Sequence, residues 1–126
     1  MPVSALSRPV DLSPQPGTAR RELADLLTDV GWAGDIDGVV LAVHEAMVNA
    51  HHHGGGVTGA TVCFDKSTLI VQITDRGHGF EVPRSPELAD LAAECGRGLF
   101  LIRHLTSDAR VARDGPEVQL ILTFDE

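Results

Sequence analysis

In the run from Leu41 to His53, the residues Glu45, Asn49 and His52 or His53 recur at i, i+4 and i+7 or i+8, the spacing that lines side chains along one helix face. A carboxylate and an amide then share a wall, as they also would on a merely solvated helix. Asp75 closes a run in which Leu69, Val71 and Ile73 share its parity, so on a strand it points to the apolar, buried side. A carboxylate buried there needs a partner. Gly77 and Gly79 follow at once; lacking Cβ atoms, they let backbone approach a ligand, or they form an ordinary turn. Gly96-Arg97-Gly98 precedes an apolar run to Leu105. A helix beginning there would present free N–H groups and its positive dipole end, the physics of a phosphate site, unless this is only a loop-to-helix junction.

Several chemistries are excluded by the same reading. The phosphate-loop pattern GxxxxGK[ST] is absent, Lys66 is the only lysine, and no GxGxxG fingerprint follows a strand. His51, His52 and His53 are adjacent, so on a helix they splay about 100° apart and cannot chelate one ion. No second cluster supplies the rest of a zinc shell. Cys63 and Cys95 are too far apart for a CxxC pair and read as small buried hydrophobes.

The elements that position these residues follow from periodicity. Residues 1–17 hold four of the seven prolines, Pro2, Pro9, Pro14 and Pro16, which permits at most a short edge strand around residues 5–12. From Thr18, Ala19, Leu23, Leu26, Leu27 and Val30 make one helical face that stops at Gly31. Ile36, Val39, Val40, Val43, Met47 and Ala50 mark a second helix, capped by Asp35 and closed by Gly54-Gly55-Gly56. Residues 61–65 and 68–75 are β-rich and joined by Lys66-Ser67. A loop with Gly77, Gly79, Pro83 and Pro86 and a short apolar segment at 88–93 lead to a third helix over 99–105. Residues 108–113 and 117–124 form a last hairpin, with Val118, Leu120, Leu122 and Phe124 turned to one face. This order predicts an α+β fold, a two-layer α/β sandwich whose mostly antiparallel mixed sheet is covered on one face by three helices. Residues 1–15 are expected to be an N-terminal segment and 16–126 one domain.

Composition narrows the partners. The 126 residues suffice for a single core. A formal charge of −8 and a pI near 5.1 argue against a nucleic acid or an anionic membrane surface as partner. With 43% apolar residues and a mean hydropathy of +0.04, the chain reads as soluble and globular, and no apolar run approaches the ~20 residues of a membrane span. The start of the sequence has neither a basic n-region nor an apolar h-region, and the cytoplasm is the expected location.

Taken in order, the motifs Glu45 to Asn49 and His53, Asp75 with Gly77 and Gly79, and Gly96-Arg97-Gly98-Leu99 resemble the Asn box and the two glycine boxes of the GHKL ATPases. More closely, Leu41-Ala-Val-His-Glu45-Ala-Met-Val-Asn49-Ala and Gly96-Arg-Gly-Leu-Phe-Leu-Ile-Arg103 are similar to the small bacterial anti-sigma-factor serine/threonine kinases, over residues 16–124. The resemblance implies the Bergerat-type ATP-binding fold, ATP and Mg²⁺ as cofactors, and a homodimer. It implies Asn49 as the metal ligand, Glu45 as general base, Asp75 as acceptor for the adenine amine, and residues 81–95 as a lid. Gly77 and Gly79 would let the loop pass close to the nucleotide. Gly96, Arg97, Gly98 and Leu99 would bring N–H groups to the phosphates, and His53 matches the family's histidine at the end of the Asn box. The implied activity is phosphorylation of an anti-anti-sigma (STAS-type) regulator together with sequestration of a sigma factor. A non-catalytic, nucleotide-gated binding switch is the alternative, and a stand-alone ATP hydrolase is the third reading. Two positions depart from the family: Gly115-Pro116 replaces its Gly-Thr, and Gln119 replaces the following Thr, removing a hydroxyl expected near the nucleotide.

Overall fold

The computed structural model describes residues 8–53, 55–76 and 97–126. The first helix, α1 (Pro16–Asp29), begins two residues before the expected Thr18, because Pro16 fits the first helical turn, where its missing N–H has no intrahelical acceptor to lose. Its end is a Schellman closure. Gly31 adopts φ +72 and donates to the Thr28 carbonyl at 3.2 Å, while the Trp32 N–H reaches the Leu27 carbonyl at 2.9 Å. The turn delivers Trp32 into the core, where its ring lies 6.1 Å from that of Phe64.

The second helix, α2 (Ile36–His53), starts as expected at Asp35, whose Oδ1 accepts from the Gly38 N–H at 3.0 Å. Asp35→Ala is therefore expected to lower unfolding stability by ~1 kcal/mol, the usual worth of such a cap, read as a shift of the urea midpoint at unchanged slope. At the other end Gly55 and Gly56 take φ +77 and +104, which turns the chain into the sheet.

Five strands follow the sequence order β1 (Val10–Leu12), β2 (Val57–Asp65), β3 (Thr68–Asp75), β4 (Asp108–Asp114) and β5 (Glu117–Asp125), with α3 (Arg97–Leu105) between β3 and β4. In space they lie β1-β2-β3-β5-β4, and every pairing among these described strands is antiparallel, so the mixed pairing expected from the sequence does not occur among them. The two-layer α+β architecture is otherwise as expected. β1 is the short edge strand, inside the expected 5–12; residues 5–7, Gly54, the segment at 88–93 and Cys95 lie outside the described residues. β2 begins at Val57 rather than at residue 61, since Val57 gains a partner in Asp75 across a register shift between Val57 and Gly59.

The helices cover one sheet face. Val62, Phe64, Leu69, Val71, Ile73, Leu120, Leu122 and Phe124 meet Leu23, Leu27, Val43, Met47 and Ile102 in one core, each large side chain worth ~1.5–3 kcal/mol of burial. On the opposite sheet face Cys63, Ile70, Gln72 and Ile121 are half-buried.

Candidate functional site

The site is built on α2. Gly38, Glu45 and Asn49 recur at i, i+7 and i+11 and so share one stripe. A Cβ added at Gly38 would lie 3.4 Å from Leu105 Cδ2, at the C-terminal end of α3. The stripe therefore faces α3, which packs against α2. The last residue of α3 thus sits beside α2's first turn.

That first turn consists of Arg97, Gly98 and Leu99, whereas the sequence reading started the helix at Leu99. The helical cost of Gly98, ~1 kcal/mol, is outweighed by the burial of Ile102 and the packing of Leu105. The consequence is that the N–H groups of Arg97, Gly98 and Leu99 are among those that lack intrahelical acceptors.

Asn49 is 8% exposed, and its Nδ2 has no hydrogen-bond partner among the described residues. Leaving such a group unmet costs ~1–3 kcal/mol, so a buried orphan of this kind marks a place where a polar partner belongs. Side-chain amide oxygen and nitrogen are assigned from their surroundings, so either end can be the one presented. Glu45, one turn earlier, is half-buried.

Asp75 ends β3 with the parity read from the sequence: Leu69, Val71, Ile73 and Asp75 are the buried residues of the strand. At 6% exposure it lines a narrow cleft between α2 and the sheet. The other walls are Ala46 and Ala50 from α2, Ile73 from β3, Val111 from β4, and Val118 and Leu120 from β5. All are apolar, so one carboxylate sits at the rim of an otherwise greasy slot. In that slot the ionised carboxylate can accept hydrogen bonds and donate none. Ala46 and Ala50 flank Asn49 in sequence, which brings the cleft and the orphaned amide to one side of α2.

The wall residues escaped the sequence reading as site residues. Val118 and Leu120 were legible as inward-facing, but only the β3-to-β5 pairing sets Val118 opposite Asp75. The signal available for α2 was the pair of alanines at i and i+4 among larger apolar residues, a notch in the helix surface.

Gly77, Gly79, Gly96 and residues 81–95 lie outside the described residues, as does the side chain of His53, the last residue of α2. His51 Nε2 sits 3.3 Å from the Pro14 carbonyl, His52 is exposed, and among the described residues no group of three His, Cys, Asp or Glu could hold a metal. Gln119 needs correction. It has the opposite parity to Val118 and Leu120 and pairs with Thr74, which puts it on the sheet face away from the cleft. The hydroxyl missing at that position is therefore not missing from the cleft. Among the described residues no helix is long and apolar enough to cross a membrane.

A family model described as a histidine kinase-like ATPase domain matches residues 9–124, a span that takes in α2, β3 and α3 together. No curated protein matches the sequence.

Proposed function

The chain belongs to the histidine kinase-like ATPase domain family, and from that premise we propose that it is an ATP- and Mg²⁺-dependent serine/threonine protein kinase acting as an anti-sigma factor. Its substrate would be an anti-anti-sigma regulator, its sequestered partner a sigma factor, and its setting the cytoplasm, as a homodimer. The observation that carries the reading is the orphaned amide of buried Asn49 beside an apolar cleft edged by Asp75.

Each residue has a task that its position can perform. The cleft takes the adenine, with the Asp75 carboxylate accepting from the exocyclic amine; guanine offers a carbonyl there instead, which a carboxylate repels. The first-turn N–H groups of α3 donate to phosphate oxygens, aided by the helix dipole. Asn49 would hold Mg²⁺ through its side-chain oxygen, a hard ligand for a hard cation. Bound there, the ion would neutralise charge on the phosphates. Glu45 takes the proton of the acceptor hydroxyl; the hydroxyl oxygen bonds to the γ-phosphorus, the bond from that phosphorus to the β–γ bridging oxygen breaks, and ADP leaves.

Asn49→Ala tests the reading. ATP affinity by calorimetry is expected to fall by ~10-fold or more in Mg²⁺, at least what an outer-shell partner of a metal is worth, and far less in EDTA. Equal losses in the two buffers would mean that Asn49 serves the fold and not the metal.

A further inference from the structure

A single exposed leucine is ordinary on a protein surface. Leu41 is informative because of its register. It is 41% exposed, the one large hydrophobic so exposed among the described residues, and it lies one helical turn before Glu45 on α2. One turn earlier again is Asp37, exposed and without an ion-pair partner among the described residues. Residues four apart on a helix are separated by about 6 Å along its axis. Alternate residues of an extended chain, which share one face, are about 6.6 Å apart. The steps Asp37, Leu41, Glu45 thus match residues 4, 2 and 0 of an extended segment laid along α2.

We propose that this strip of α2 docks the protein that gives the hydroxyl. The acceptor serine or threonine reaches Glu45, an aliphatic side chain two residues away covers Leu41, and a lysine or arginine four residues away meets Asp37. The inference rests on the reading of Glu45 as general base and adds which partner sequence it serves. Charge supports the choice of a cationic segment. The protein carries −8, so an acidic segment meets a net repulsion, while Asp37 is a local acceptor for a cation.

The test uses the intact protein, labelled ATP with Mg²⁺, and synthetic peptides in a Gly/Ala background. The probes are Ser-x-Leu-x-Arg and its reversal Arg-x-Leu-x-Ser, each with versions in which Leu is replaced by Gly or Arg by Glu. One orientation is expected to accept label, with KM about tenfold lower for Leu than for Gly, the worth of burying one aliphatic side chain. Leu41→Ala is expected to raise KM for the Leu peptide to the Gly value without a matching fall in kcat. Asp37→Lys is expected to reverse the preference between Arg and Glu. Equal KM for Leu and Gly peptides, or no label on any of them from a protein that binds ATP and Mg²⁺ by calorimetry, overturns the docking strip and leaves the nucleotide site standing. A protein that binds no ATP overturns both.

Discussion

Glu45→Gln is expected to retain ATP affinity within about twofold and to lose phosphotransfer by ~10²-fold or more, the low end for removal of a general base. The two effects separate because the carboxylate handles a proton that moves only as the acceptor oxygen attacks, so its worth is realised in the transition state and not in ground-state binding. Gln keeps the size and the helix propensity, and Glu45 is half-buried and makes no ion pair with the described residues, so the melting temperature should hold. Label transfer to the acceptor, with calorimetry on the same preparation, decides it. Wild-type transfer by the variant would remove Glu45 from the chemistry and favour a nucleotide-gated binding switch built on the same cleft.

Asp75→Asn is expected to weaken ATP by about a hundredfold, the upper range for a hydrogen bond to a charged acceptor, with a smaller effect on GTP. The carboxylate can only accept, which suits an amine, whereas the amide that replaces it can turn its own donor toward the base and leave the edge mispaired. The residue is 6% exposed and its strand is tied to β2 on one side and β5 on the other, so the backbone should stay in place. A folded variant with unchanged ATP affinity would take Asp75 out of the nucleotide site. A variant that weakens ATP and GTP alike would show that the carboxylate shapes the cleft without reading the base.

Much of this arrangement follows from local physics and was legible in the residues. The apolar repeats of α1 and α2 follow the helical period, Asp35 caps its own helix through a bond to Gly38, and Gly31 ends α1 because it alone takes positive φ there at little cost. The inward parity of Asp75 needed only the alternation of Leu69, Val71 and Ile73. The pairing of Glu45 and Asn49 on one face needed only their spacing. These signals act over a few residues, so the chain states them without its neighbours.

Other features arose only when distant segments met. β2 reaches back to Val57 because β3 supplies Asp75 as its partner, a pairing that Gly55, Gly56 and Gly59 hide from any local reading. α3 begins at Arg97 because packing on α2 outweighs the helical cost of Gly98, and that start leaves the N–H groups of Arg97, Gly98 and Leu99 without intrahelical acceptors. Val111 and Val118 became walls of the cleft through the register of β4 on β5 and of β5 on β3, and Gln119 was turned away from it by the same register. Spacing alone puts Asn49 on a polar stripe and leaves it a solvated face. Its burial, and the loss of water as a partner for its amide, came from the helices and sheet closing around α2, since desolvation belongs to the assembled layers and to no segment of the sequence.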